Sequence, residues 1–193
     1  MKNGQIFVIA APSGAGKTTV SNQAIAKLTP KIDISKVVTY TTRHPRPTEI
    51  NGQDYNFIDF QDFKQKEKNN FFLETTEYSG ALYGSPKNIL DQISLGKSFI
   101  IVTDLVGVKE YKKLIPNSIF IWLTIPNLDI LRERLIKRGD HKDKIDKRLD
   151  LAKQEVKEAE HNKFFNYFIV NNIFDKTVQS LCEIIEHELT SQK

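Results

Sequence analysis

A single cysteine among 193 residues excludes an internal disulfide framework and fits a reducing compartment. No apolar run approaches the ~20 residues that cross a bilayer. Ile6–Ala11 is too short for a secretory signal and leads straight into a glycine loop. These absences point to the cytoplasm. The four histidines show no metal-ligand spacing, which argues against a structural zinc. Neither an internal repeat nor a low-complexity linker divides the chain, so one domain with room for inserted subdomains is expected.

What is present is ordinary for a globular protein: 39% hydrophobic and 27% charged residues. The net charge of +4 suits nucleic acid, a membrane surface or phosphorylated small molecules. The scattered lysines read as solvated surface, whereas the arginines cluster. Cys182 falls in the helical stripe Val178, Leu181, Cys182, Ile185, Leu189 and reads as a buried thiol rather than a nucleophile.

The chain opens with an apolar strand, Ile6–Ala10, then a glycine loop, then a helical pattern to about Leu28 with Pro30 beyond it. Val37–Thr42, Asp54–Phe60 and Phe71–Tyr78 are short β-forming segments separated by turn signals such as Asn51-Gly52, and predict a small mostly-β insertion. An α/β rhythm follows. Helices are expected at Ile89–Leu95, Leu128–Arg138, Lys144–Ala159 and Lys176–Leu189. Strands are expected at Phe99–Thr103, Ile119–Leu123 and Phe168–Val170, with Trp122 in the core. Alternation of this kind implies an α/β fold, a parallel sheet with helices on both faces.

The loop Ala11, Pro12, Ser13, Gly14, Ala15, Gly16, Lys17, Thr18, Thr19 nearly satisfies the phosphate-binding P-loop pattern. Its glycines let backbone N–H groups curl around phosphate oxygens, and the next helix adds its positive end. Lys17 can reach the β- and γ-phosphates, and the Thr18 hydroxyl can bind Mg²⁺. Ala11 stands where the consensus has its first glycine, which is tolerable if its φ is negative. The loop identifies a nucleoside triphosphate site, not the acceptor.

Further along, Arg43 and Arg46 flank Pro45 in Thr41-Thr42-Arg43-His44-Pro45-Arg46. Such a pair can clamp a phosphate through guanidinium forks, with hydroxyls from Tyr55 and Tyr83, or be an exposed basic turn. Taken in order after the P-loop, this segment, Gly52-Gln53-Asp54-Tyr55-Asn56-Phe57, Phe72-Leu73-Glu74 and Tyr83-Gly84-Ser85 closely resemble the guanylate kinase family. The resemblance runs from about residue 4 to about residue 189.

The resemblance implies a P-loop kinase that moves the γ-phosphate of ATP to GMP, with dGMP a further acceptor and Mg²⁺ as cofactor. It implies that Arg43, Arg46, Tyr55 and Tyr83 bind the GMP phosphate, that Thr39, Glu74 and Ser85 read guanine, and that Asp104 is an acidic residue of the nucleotide site. It implies a core of residues 1–35, 89–127 and 160–193, a GMP-binding insertion at 36–88 and a lid at 128–159. Guanine chemistry agrees. Its N1–H and N2–H₂ donors suit a carboxylate and its O6 suits a hydroxyl donor, whereas adenine would set an N1 acceptor against the carboxylate.

Arg134 and Arg138 are i,i+4 neighbours before Gly139, and Arg148 lies on the next helical segment. Alone they read as a solvated charged helix; the resemblance makes them lid arginines closing over the transferring phosphoryl group. Lys17, Arg46, Arg138 and Arg148 are the expected catalytic residues, with Arg134 and the pair Asn171-Asn172 on the ATP side. Besides Ala11, several positions depart from the family pattern: Val102 stands where the first of two acidic residues is usual, Asn172 stands for an aspartate, Thr39 for a serine and Thr48 for a glycine. No nucleic acid, membrane or obligate protein partner is expected. A related kinase with another phosphorylated acceptor, and a protein-binding scaffold that has lost catalysis, are the competing readings.

Overall fold

The computed structural model describes residues 3–78, 80–137 and 139–191. Five parallel strands form the main sheet: β1 (Ile6–Ala10), β2 (Ile34–Lys36), β7 (Ser98–Thr103), β8 (Ile119–Thr124) and β9 (Tyr167–Val170), in the order β2-β7-β1-β8-β9. Strand β1 is buried along all five residues because it is central and covered on both faces.

Its alternation sorts the core. Phe7 and Ile9 join the cluster formed with α1 (Lys17–Leu28), α5 (Leu128–Lys137), α6 (Lys142–His161) and α7 (Phe174–Ser191). Ile6, Val8 and Ala10 face the other cluster, with Ile89 of α3 (Ile89–Ser94) and Leu105, Val108 and Tyr111 of α4 (Leu105–Leu114). The fold is therefore the α/β sandwich expected, with Trp122 fully buried at its centre.

A second sheet, in the order β4-β3-β6-β5, is built from β3 (Tyr40–Thr41), β4 (Asn56–Phe57), β5 (Phe72–Tyr78) and β6 (Ala81–Pro86). The β5/β6 register sets Glu74 opposite Ser85 and Thr76 opposite Tyr83, while β3 sets Thr41 against Tyr83.

Several expectations need correction. The expected strand Asp54–Phe60 shrinks to Asn56–Phe57, because Phe60 begins a helix, α2 (Phe60–Lys68), capped by the Asp59 carboxylate accepting the Asp62 amide at 2.7 Å. The insertion therefore contains a helix. Val37–Thr42 is extended only at Tyr40–Thr41 as a paired strand, and the residues before it instead supply the edge strand β2. Strand β6 and helix α4 were not anticipated. Cys182 is half-buried rather than buried, packed at the rim of the core with its Sγ 3.9 Å from the Ala24 carbonyl. Burial pushes its thiol above the usual range. Among the described residues no helix is long and apolar enough to cross a membrane.

Candidate active site

The glycine loop runs from the end of β1 into α1. Gly14 and Gly16 take φ of 90° and 88°, in the left-handed region that a side chain resists. A Cβ on Gly14 would press on Leu135 and Leu131 at 2.9 and 3.0 Å, and one on Gly16 would meet Asn171 Nδ2 at 2.9 Å. The loop is thus packed against α5 and the end of β9. Ala11 is outside the left-handed region, so its methyl group is accommodated. Lys17 Nζ lies 3.5 Å from the Ala11 carbonyl oxygen.

A cleft of about 330 Å³ joins this loop to the second sheet. It is lined by Ser13, Gly14, Gly16, Lys17, Thr18, Thr19 and Arg134 on one side, and by Thr39, Arg43, Arg46, Tyr55, Glu74 and Tyr83 on the other. Val102 and Asp104, at the end of β7, stand between them. Residues far apart in sequence therefore meet across one space, as the strand ends of a parallel sheet allow.

On the side of the second sheet, the Arg43 guanidinium lies over the Tyr55 and Phe57 rings, 5.3 and 5.6 Å from their centroids. It also donates to the His44 carbonyl at 2.7 Å and to Glu49 Oε1 at 2.8 Å. The other oxygen of Glu49 accepts the Arg46 amide at 2.7 Å, and Arg46 Nη1 lies 3.4 Å from Oε1. Burial raises the Glu49 carboxyl, but its bonds to Arg43 and Arg46 outweigh that and hold it below the ordinary range. Sequence reasoning missed Glu49, although a carboxylate three residues after Arg46 in a basic turn was a local signal.

Deeper in the cleft, Glu74 is 9% exposed. Its Oε1 accepts the Ser85 amide at 3.2 Å and the Tyr111 hydroxyl at 2.5 Å, while Oε2 has no hydrogen-bond partner. Burial pushes this carboxyl up to about 7, against the downward pull of the Tyr111 and Ser85 bonds. Ser85 itself does not line the cleft. It is fully buried, with its hydroxyl against that of Tyr111. Tyr111, which does line the cleft, gave no local signal in the sequence.

Helix α6 also reaches the glycine loop. Arg148 Nη1 is 3.1 Å from Ser13 Oγ and 3.3 Å from Asp140 Oδ2. Arg134, on α5, donates to the carbonyls of Ala15 at 3.3 Å and Asn171 at 3.1 Å, and Asn171 Nδ2 donates to the same Ala15 oxygen at 2.6 Å. These bonds tie the glycine loop to the end of β9. Asn172 is exposed and lines a different cavity, between β9 and α7. Arg138 lies outside the described residues.

Also on α6, Glu155 is 7% exposed, and its Oε2 has no hydrogen-bond partner. Burial raises its carboxyl to about 7, against the attraction of Lys17. Asp104 caps α4, its Oδ1 accepting the Gly107 amide at 2.8 Å.

Comparison with known proteins bears on the family and the fold. The profile of the family described as guanylate kinase matches residues 3–188. A guanylate kinase of Coxiella burnetii is 38% identical over 190 residues, covering 97% of this chain and 89% of the relative. One of Nitrosospira multiformis is 35% identical over 187 residues, covering 96% and 86%. The crystal structure of guanylate kinase from Anaplasma phagocytophilum superposes with a TM-score of 0.78 at 28% identity, covering 97% of this chain and 87% of that one.

Proposed function

This chain belongs to the guanylate kinase family, and from that premise we propose how its own residues divide the work of the reaction. The chain is an ATP-dependent nucleoside monophosphate kinase: it transfers the γ-phosphate of ATP to GMP, giving ADP and GDP. The assignment of residues rests above all on one observation. Glu74 keeps a buried carboxylate oxygen without a partner in the cleft that also holds the arginines and the glycine loop.

That oxygen suits the donor edge of guanine. An orphaned buried acceptor costs about 1–3 kcal/mol, which a base offering N1–H and N2–H₂ relieves. Adenine, with an acceptor at N1, leaves the cost in place. The Thr39 hydroxyl is the donor for O6. Arg43, Arg46, Tyr55 and Tyr83 take the GMP phosphate through charge-assisted bonds. The loop from Ala11 to Thr19 cradles the phosphates of ATP with its N–H groups.

Transfer then needs alignment and charge neutralisation rather than a base, because the acceptor is already an anion. A GMP phosphate oxygen forms the new bond to the γ-phosphorus as the bond to the β–γ bridging oxygen breaks, and ADP leaves with that electron pair. Lys17, Arg46, Arg138 and Arg148 neutralise the charge in flight. Arg134 and Asn171 hold the loop from behind.

Mg²⁺ fits the donors present. The Thr18 hydroxyl and Asp104 are hard oxygen ligands in the cleft, and this ion takes few protein ligands beside phosphates and water. When bound, it supplies further positive charge to the phosphate oxygens. Residues 36–88 form the GMP-binding unit, 128–159 the lid, and 1–35, 89–127 and 160–193 the core. The cytoplasm, where both nucleotides are available, is the expected location.

The decisive experiment is ADP release in a coupled assay with GMP, dGMP, AMP, CMP and UMP. Strong preference for the guanine nucleotides is expected; comparable rates on AMP would remove Glu74 as the base reader.

A further inference from the structure

Tyr111 lies on the face of α4 that packs the core, 1% exposed, yet its hydroxyl sits between two polar groups of the second sheet. It meets Glu74 Oε1 at 2.5 Å and the Ser85 hydroxyl on its other side. A tyrosine hydroxyl has one proton to give. With that proton on Glu74, Ser85 must donate to the tyrosine oxygen. The result is a directed relay, Ser85 to Tyr111 to Glu74, closed by the Ser85 amide donating to the same Oε1 at 3.2 Å. Both lone pairs of Oε1 are then filled, and only the buried Oε2 lacks a partner.

We infer that Tyr111 is a positioning residue for base recognition, fixing Glu74 through Oε1 so that Oε2 is the oxygen offered to guanine. The inference rests on Glu74 being the guanine reader. Burial and the neighbouring carboxylate hold Tyr111 well above the usual phenol range, so it remains a donor at working pH. The groups facing Glu74 are Tyr111 from α4, Ser85 from β6 and Asp104 at the N-terminus of α4. Asp104 disfavours the carboxylate, whereas the two hydroxyl-bearing residues favour it. Removing the tyrosine hydroxyl thus leaves Glu74 harder to ionise.

The test is steady-state kinetics of full-length Tyr111→Phe and Glu74→Gln beside the wild type, from about pH 6 to about pH 9. Tyr111→Phe keeps the ring in the core. Its KM for GMP is expected to rise roughly tenfold, with kcat and the KM for ATP within about twofold. The acid limb of kcat/KM for GMP is expected to move to higher pH. The substrate's own titration is common to all three enzymes and cancels.

An unmoved KM and limb in Tyr111→Phe, beside a Glu74→Gln variant that loses its preference for GMP over AMP, overturns the role of Tyr111 alone. If Glu74→Gln keeps that preference, the base-reader assignment falls and Tyr111 falls with it. Should Tyr111→Phe not fold, Ser85→Ala interrupts the same relay one step back while keeping the Ser85 amide. A limb shifted upward then supports the relay, and an unmoved limb overturns it.

Discussion

Glu49 Oε1 lies 2.8 Å from Arg43 Nη2, and through its second oxygen the same carboxylate accepts the Arg46 amide at 2.7 Å. One acidic side chain thus orients both members of the proposed phosphate clamp. An isolated exposed ion pair contributes little, but this one is only 21% and 12% exposed on its two sides and is braced by a backbone bond. Glu49→Ala is expected to raise the KM for GMP roughly tenfold, the loss of about one charge-assisted bond, with kcat little changed. Titration of GMP binding by calorimetry would check it; unchanged affinity would mean that Glu49 is not what holds the two arginines in place.

The proposed base reader implies a pH dependence. In that role Glu74 must be ionised to accept from guanine, and burial raises its carboxyl to about 7. Accordingly kcat/KM for GMP should fall as pH drops below about 7, approaching tenfold per unit. The Glu74→Gln variant, slow throughout, should keep only the limb of the substrate phosphate, so the ratio of wild type to variant should itself fall as pH drops. A ratio constant below about pH 7 would assign the whole limb to the substrate phosphate instead.

Glu155 predicts a stability profile of unusual sign. Its folded value, about 7, is raised from an ordinary 4.5, so between these values the folded state binds the proton that the unfolded state has lost. Stability therefore declines as pH rises through that window and levels off above it. Glu155→Gln removes this decline. Its melting temperature relative to wild type should climb from pH 5 to pH 8, by an amount worth ~1–3 kcal/mol at the upper end. Glu74 contributes the same slope to both proteins and drops out of the comparison. A constant difference across the range would show that Glu155 is not buried as a neutral acid.

Lys17→Ala should abolish transfer while leaving GMP affinity intact, because Lys17 belongs to the glycine-loop side of the cleft and the arginine clamp to the other. Parallel calorimetry with GMP and with ATP would separate the two halves. Loss of GMP binding would mean that the lysine organises the whole cleft.

Much of this arrangement was legible in the sequence. The buried run of β1, the glycine loop and the stripes of α1 and α7 announce themselves locally. The motif segments identified most of the residues that line the cleft. Other parts had no local voice. Strand β6 contains Gly84 and Pro86 and is a strand through its pairing with β3 and β5. Helix α2 buries only Phe63, so it shows no stripe. Helix α4 carries an interior glycine where a Cβ would meet Thr103 Oγ1 at 2.0 Å, a cost in propensity that packing imposes. Tyr111 and Glu155 act across elements, and Ser85 turns its hydroxyl to Tyr111 instead of the cleft. Only tertiary geometry reveals such partnerships.

The bond from Asn171 to the Ala15 carbonyl spans 156 positions of the chain. Its consequence concerns the order in which the protein is made. The glycine loop emerges from the ribosome well before its brace, which is synthesised 156 positions later, just after β9. A nascent chain can hold β1, the loop and α1 long before the carbonyl of Ala15 has its partner. Nucleotide binding should therefore switch on only after Asn171 has been made, when β9 docks beside β8 and α7 packs against α1. Chains arrested before Asn171 would carry the complete phosphate-binding sequence without a finished phosphate-binding site.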